Sequence, residues 1–193
     1  MDPERLVFLD EAAANLSMGR SHAWIRCGEV LLDPRPMNWG TSLTMIGALR
    51  RRGWITMSTM FGSANSERFV RWARRRLAPK LRRGDVVILD NAPAHKDPRF
   101  VSAIEARGAR VEFLPPYSPD LNPIEPGWAI AKQHVRAVAP RDRLALRKAA
   151  HAGRRRVKRR HCRAWFEHAG YERSRKVPLR AGRRRSRRRE RGL

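Results

Sequence analysis

Three acidic residues lie beside predicted strand or helix ends, where side chains from different segments can meet. Asp10 follows the apolar residues 6–9, Asp90 follows the apolar run Val86–Leu89, and Glu125 comes directly after a proline-rich segment. Neighbouring strand ends place such side chains at one edge of a sheet, and a helix packed on that edge can add a third. Grouped carboxylates repel one another unless cations neutralise them, and oxygen ligands favour Mg²⁺ or Mn²⁺ over zinc. The pattern predicts a two-metal site.

Each of these acids also has a purely structural interpretation. Glu11 is adjacent to Asp10 and could be taken for the ligand in its place, so the register of the strand decides between the two. Asp90 and Asn91 could form a turn after a buried strand, and Glu125 could cap a helix. The residue types alone leave these alternatives open.

Three short segments surround the acids: FLDE at 8–11, LDN at 89–91 with His95 after it, and LPPYSPDLNPIE at 114–125. Together they resemble the catalytic region of DDE superfamily transposases of the mariner-related bacterial insertion-sequence group. The 34 residues between Asp90 and Glu125 fit the spacing of that group. The proline-containing segment is the most specific of the three, and the resemblance extends over residues 4–172.

This resemblance implies an α/β chain with a ribonuclease-H-like mixed sheet flanked by helices. It implies that Asp10, Asp90 and Glu125 hold two Mg²⁺ or Mn²⁺ ions for DNA cleavage and strand transfer during transposition. One ion would activate water or a DNA 3′ hydroxyl, and the other would stabilise the leaving oxygen. Asn91 and His95 occupy family positions beside the second acid, where they would orient a ligand or contact DNA.

The resemblance also implies DNA partners, namely transposon ends and target, and a homodimer that pairs two ends. The chain begins close to the first strand, so we expect the helix-turn-helix region that reads terminal repeats to be lost or supplied by a separate chain. Pro126 and Gly127 depart from the family pattern directly after Glu125. Because proline removes an N–H group and glycine disfavours helix, we expect this pair to loosen Glu125.

The first third of the chain has the pattern of an antiparallel meander. Strands are expected at 6–9, 41–49 and 54–61, with a hairpin turn ending at Gly53. Apolar residues recur at helical spacing over 66–81. A β-α-β unit is expected next, because Val86–Leu89, a helix over 97–107 and a strand over 111–114 follow closely.

The segment between Pro115 and Pro123 is expected to be a stiff, irregular loop because it contains four prolines. After it, Asn122 is expected to cap a helix with Glu125 at its third position. That helix should run to Val138 and break at Pro140, and a second, basic helix should cover 141–160. Trp128 and Trp72 are interpreted as core residues.

Positive charge is concentrated at the C-terminal end of a chain with a net charge of +25. Residues 1–140 carry 21 basic and 14 acidic side chains, whereas 141–193 carry 22 and 4. We expect a catalytic core over 1–140, basic helices of the same domain over 141–172, and a disordered arginine-rich tail over 173–193. Polycations bind phosphates without sequence specificity. The nucleic-acid-binding residues predicted on this ground are Arg154, Arg155, Arg156, Lys158, Arg159, Arg160, Arg183, Arg184, Arg185, Arg187, Arg188 and Arg189.

Several other classes of protein are disfavoured. No apolar run is long enough for a membrane span, and the acidic start is unlike a signal peptide, so we expect a cytoplasmic, nucleoid-associated protein. Cys27 and Cys162 are far apart and lie in no zinc-binding pattern. Two alternatives remain: an inactive transposase remnant that binds nucleic acid nonspecifically, and a cellular nuclease that acts on RNA hybrids.

Overall fold

A mixed five-stranded sheet forms the centre of the protein. The computed structural model describes residues 2–20, 22–36, 40, 42–116 and 118–172. The strand order is β3-β2-β1-β4-β5; β1, β2 and β3 pair antiparallel, whereas β1, β4 and β5 run parallel. The predicted meander and β-α-β unit are therefore confirmed. The strands are β1 (Leu6–Ala14), β2 (Leu43–Arg50), β3 (Gly53–Phe61), β4 (Val86–Leu89) and β5 (Arg110–Phe113).

Helices cover both faces of this sheet. One face is covered by α1, which continues as a π-helical turn and a 3₁₀ turn to Lys80, and by α2. The other face is covered by α3, α4 and α5. In the described ranges, every helix is too short or too polar to cross a membrane. The helices are α1 (Ser66–Trp72), α2 (Pro98–Glu105), α3 (Glu125–Val138), α4 (Arg143–Arg155) and α5 (Arg159–His168).

Successive side chains of the central strands point to opposite faces of the sheet and so divide the apolar core into two layers. Phe8 packs with α3 and α5, whereas Val7 and Leu9 pack with α1 and α2. Trp72 and Trp128 are buried in these layers, which confirms them as core residues. Side chains two residues apart on β1 therefore share a face, and this alternation decides which acids can meet.

The first strand is longer than its apolar residues predict. Asp10 was expected to end it, but β1 continues to Ala14 because Ala12, Ala13 and Ala14 pair with β2. The parallel neighbour β4 does end at Leu89. Asp10 therefore lies inside a strand, at the level where the neighbouring strand stops.

The start of α3 also differs from the prediction. The helix begins at Glu125, and Ile124 is its capping residue, without a side-chain hydrogen bond. Asn122 contributes only its backbone carbonyl, which accepts from the Glu125 N–H at 3.2 Å. A short 3₁₀ turn over Pro119–Leu121 precedes it and displaces the helix start, so the side chain of Asn122 is buried and does not cap.

The basic helix predicted over 141–160 is two helices, α4 and α5, separated at residues 156–158. In one straight helix, Cys162 would lie about 160° around the axis from Leu146, since each residue turns by about 100°. Both side chains are fully buried in the same core layer. The break is therefore needed to turn both apolar faces toward the sheet. The predicted disordered tail, 173–193, lies outside the described residues.

Candidate active site

The three predicted acids line one pocket of about 370 Å³, here named the carboxylate pocket. Asp10 comes from β1, Asp90 from the loop after β4, and Glu125 from the start of α3. Phe8 pairs with Ile88, and the same register continued by two residues puts Asp10 opposite Asp90. Strand pairing thus brings the first two acids together, and α3 adds the third. The proline-containing segment after β5 forms another wall.

The register of β1 distinguishes Asp10 from its neighbour Glu11. Asp10 shares the face of Phe8 and lines the carboxylate pocket, whereas Glu11 shares the face of Leu9. Glu11 lines a different pocket, of about 400 Å³, on the other side of the strand. Of the two adjacent acids, only Asp10 points toward Asp90 and Glu125.

The carboxyl group of Asp10 is held against the indole of Trp128. The Trp128 Nε1–H donates a hydrogen bond to Asp10 Oδ2 at 3.0 Å. Burial and the negative charges of Glu125 and Glu11 raise the pKa of Asp10 to about 7, although hydrogen bonds from Trp128 and the Glu11 backbone oppose the rise. A bound cation would remove this cost, because it favours the ionised form.

Asp90 is exposed, and its carboxylate is fixed from one side only. Its Oδ1 accepts the Ala92 N–H at 3.0 Å and lies 2.5 Å from His95 Nδ1. The other ring nitrogen of His95, Nε2, lies 3.0 Å from Glu11 Oε2. Burial alone would lower the pKa of His95, but the hydrogen bonds and charges of Glu11 and Asp90 outweigh it and raise the pKa above its ordinary value. His95 therefore bridges two carboxylates.

Asn91 connects the loop after β4 to the end of β5. Its Nδ2 donates to the Leu114 carbonyl at 2.6 Å. Leu114 is the first residue of the proline-containing segment, and its own N–H donates to the Leu89 carbonyl at 2.9 Å. The side chain of Asn91 thus fixes two walls of the carboxylate pocket relative to each other. Tyr117, inside the proline-containing segment, lies outside the described residues.

The helix start at Glu125 accommodates the two residues that were expected to loosen it. Pro126 is the second helical residue, where its missing N–H would have had no partner within the helix. Gly127 is buried, and a Cβ atom there would lie 3.1 Å from Cζ2 of Trp54. Glycine therefore allows the helix to pack closely against Trp54. The first turn of α3 also favours the negative charge of Glu125.

The donor set fits hard divalent cations. All three acids offer oxygen. Asn122 lines the same pocket, and its buried Oδ1 has no hydrogen-bond partner among the residues that the structure describes. Among the described residues, no three His, Cys, Asp or Glu side chains already form a set that could hold a metal ion. Cation binding would therefore draw the three carboxylates closer together.

A cluster of cations lies where α4 meets α5, on the face of the sheet that also carries α3. It is named the α4–α5 basic cluster, and its closeness to α3 follows from the contact of Gly153 with Ala131. Burial and the charges of Arg156 and Arg155 lower the pKa of His134, which reflects the positive potential there. Its members are Arg154, Arg155, Arg156, Lys158, Arg159 and Arg160. The predicted residues Arg183 to Arg189 lie outside the described ranges.

Two residues at the site were not predicted from the sequence to belong to it. Trp128 was identified only as core, and Glu11 only as an alternative to Asp10. Trp128 follows Glu125 by three residues, which places both on one side of α3. That spacing is the sequence signal that could have placed Trp128 at the site. The link from Glu11 through His95 joins residues 84 positions apart, and no local pattern indicates it.

Comparisons with known proteins identify the family and the fold of this chain. A protein family model described as DDE superfamily endonuclease matches residues 5–147. A search of curated protein sequences finds no match. Among solved structures, the Mos1 transposase paired-end complex with the left transposon end is similar, at TM-score 0.69 and 18% identity, covering 86% of this chain and 52% of that chain. The catalytic domain of Mos1 mariner transposase is similar at TM-score 0.58 and 15% identity, covering 85% and 76%.

These structural likenesses show the fold, which is ribonuclease-H-like as predicted. This chain spans about half the length of the Mos1 chain in the paired-end complex. The family model, by contrast, covers most of this chain and includes all three acids of the carboxylate pocket. The resemblance seen in the sequence is confirmed, and the chain belongs to the DDE superfamily endonucleases.

Proposed function

We propose that this chain is the catalytic domain of a DNA transposase, and that Asp10, Asp90 and Glu125 are its catalytic acids. The observation that carries the proposal is their meeting in one pocket from three separate elements. Membership of the endonuclease family supports phosphodiester cleavage as the reaction. The likeness to Mos1 transposase structures supports transposition, with strand transfer following cleavage.

The same three acids would hold two divalent cations, Mg²⁺ or Mn²⁺. Mos1 paired-end complexes with Mn and with Mg support this choice of metal. When bound, the ions would make water or a DNA 3′ hydroxyl a stronger nucleophile and would stabilise charge on the leaving oxygen. Asp10 would supply the most fixed oxygen, since Trp128 already orients it.

The neighbouring polar residues would keep the pocket in shape. His95 holds one oxygen of Asp90, which leaves the other free to face the pocket. Asn91 holds the Leu114 carbonyl and so fixes the wall formed by the proline-containing segment. Preorganised ligands lose less freedom when a cation and substrate bind. We therefore assign His95 and Asn91 to positioning rather than to proton transfer.

The proposed substrate is DNA, bound in part by the α4–α5 basic cluster. The Mos1 paired-end complex that resembles this chain contains the left transposon end, which supports DNA as the partner. We further propose a homodimer, since strand transfer joins paired ends. Such a protein would work in the cytoplasm, at the nucleoid.

The deciding experiment is nicking of supercoiled plasmid by the purified chain in Mg²⁺, in Mn²⁺ and in EDTA. We expect nicking in either metal, none in EDTA, and a loss of at least about 100-fold in Asp90→Asn, because that variant removes a charged metal ligand. Asp120→Asn is the matched control: Asp120 is exposed in the nearby 3₁₀ turn but does not line the pocket. It should nick as the wild type does.

Other results would favour the alternatives. Folded protein that binds DNA but never nicks it, even with a helix-turn-helix chain added, would indicate an inactive remnant. Faster cleavage of an RNA–DNA hybrid than of duplex DNA would indicate a cellular nuclease. Nicking that survives in Asp90→Asn would refute the assignment of the acids.

A further inference from the structure

Glu11 lies outside the carboxylate pocket, yet it reaches a pocket acid through the fold. Its Oε2 is 3.0 Å from Nε2 of His95, whose Nδ1 is 2.5 Å from Oδ1 of Asp90. We propose that Glu11 is a positioning residue that fixes His95 and, through it, holds the Asp90 carboxylate in the orientation needed for metal binding. The inference rests on the function proposed above, in which Asp90 is a metal ligand.

Asp90 needs such support because its surroundings constrain it weakly. It follows the last residue of β4, and its side chain is 58% exposed. The Ala92 N–H and His95 both contact Oδ1. These two contacts fix one oxygen of a side chain that lines the carboxylate pocket and leave the other oxygen for a cation. Without His95, only the single backbone hydrogen bond would limit rotation of this exposed carboxylate.

His95 in turn needs a partner at its far edge. The ring is only 2% exposed and lies against Phe69, with ring centroids 4.6 Å apart. Contact with an aromatic face fixes the plane of an imidazole but not which edge points toward Asp90. A half-turn of the ring would exchange Nδ1 for a carbon atom and would also break the contact of Nε2 with Glu11. Glu11 therefore selects the orientation that serves Asp90.

The packing around Glu11 indicates a positioning role rather than a structural one. Its side chain is 22% exposed and borders the pocket of about 400 Å³, whose other walls include Ala13, Ala64 and Ala94. The register of β1 is set by its pairing with β2, in which Glu11 lies opposite Ile46. Shortening Glu11 therefore removes its contact with His95 and creates no overpacking.

The test measures Mn²⁺ binding to DNA-free protein by the loss of the free-ion electron paramagnetic resonance signal, together with plasmid nicking and thermal unfolding. The variants are Glu11→Ala, Glu11→Gln and the reference Asp90→Asn. Glu112→Ala is the matched control, since Glu112 is an exposed glutamate of β5 paired with Arg110. We expect Glu11→Ala to weaken Mn²⁺ binding 10- to 100-fold, the usual effect of removing a partner behind a metal ligand.

Glu11→Gln should weaken binding less, because an amide oxygen can still accept from the imidazole. Glu112→Ala should unfold at the wild-type temperature and bind Mn²⁺ as the wild type does. Glu11→Ala should unfold at a lower temperature, because the buried imidazole of His95 loses a partner, but it should stay folded at the temperature of the binding measurement. Wild-type Mn²⁺ binding in Glu11→Ala, with binding weakened in Asp90→Asn, would overturn this inference alone. No Mn²⁺ binding by the wild type, or no loss in Asp90→Asn, would overturn the proposed function as well.

Discussion

The carboxyl group of Asp10 is subject to opposing demands. Ion binding needs it ionised, but burial and the charge of Glu125 raise its pKa to about 7 from the ordinary 3.8. Between about pH 4 and about pH 7, the metal-free protein therefore keeps a proton on Asp10 that the unfolded chain has already lost. An ionised Asp10 costs the folded state free energy until a cation neutralises it.

This cost predicts a pH-dependent effect of Asp10→Asn in EDTA. The pKa is raised in the folded state, so the wild type loses stability as pH rises from about 4 to about 7. The asparagine variant does not, and its amide oxygen can still accept the Trp128 hydrogen bond. The free energy of unfolding of the variant should therefore rise relative to that of the wild type over that range. The rise is at most about 4 kcal/mol, because a shift of one pKa unit corresponds to about 1.4 kcal/mol. Urea unfolding at pH 4.5 and 8 measures this difference, and an equal difference at both would contradict the burial argument.

At the scale of single residues, the sequence could locate the acids but not their environment. Asp90 and Glu125 were found because they follow a buried strand and a distinctive loop. Asp10 can be distinguished from Glu11 only by the register of β1 with β4, and this register is a property of the tertiary structure. The bond from Trp128 to Asp10 spans 118 positions, so only the packed fold could reveal it.

Among the secondary-structure elements, the predictions worked where apolar residues define the segment and failed where pairing or packing does. The buried strand Val86–Leu89 was found from its residues alone. β1 extends through three alanines, which have little strand preference, because β2 pairs with them. The break between α4 and α5 depends on which face of each helix packs against the sheet. Tyr171, after α5, donates a hydrogen bond to the Leu121 carbonyl of the proline-containing segment at 2.9 Å, and this contact also depends on the packed fold.

The contact between α3 and α4 predicts an unusual effect of Gly153→Ala. Alanine normally stabilises a helix relative to glycine by about 1 kcal/mol. Here a Cβ atom would lie 2.7 Å from the backbone oxygen of Ala131, so the two helices would have to separate. We expect a net destabilisation of about 1–3 kcal/mol, measured by urea unfolding. Lys148→Ala, at an exposed position of the same helix, should change stability by less than about 0.5 kcal/mol. A stabilised Gly153→Ala protein would show that α3 and α4 pack less closely.

Across the whole molecule, positive charge lies on both faces of the sheet. The α4–α5 basic cluster shares its face with the carboxylate pocket, and Arg74, Arg75 and Arg76 are exposed on the helical segment that covers the opposite face. Net charge alone would make both faces bind DNA. If the proposed function is right, DNA reaching the pocket should depend more on the cluster that shares its face.

Two triple variants of equal charge separate these possibilities. Replacing Arg155, Arg156 and Arg159 with glutamine should weaken binding to duplex DNA and flatten its salt dependence, because each lost phosphate contact lowers the slope of log K against log salt by about 0.9. Replacing Arg74, Arg75 and Arg76 in the same way should change the slope by less than the value of about 0.9 expected for one phosphate contact. Binding is measured by fluorescence anisotropy from 50 to 200 mM salt. Equal losses of DNA affinity in both triple variants would mean that DNA binds without preference for either face. That result would remove the α4–α5 basic cluster from the proposed DNA path. The assignment of the three acids would still be decided by plasmid nicking.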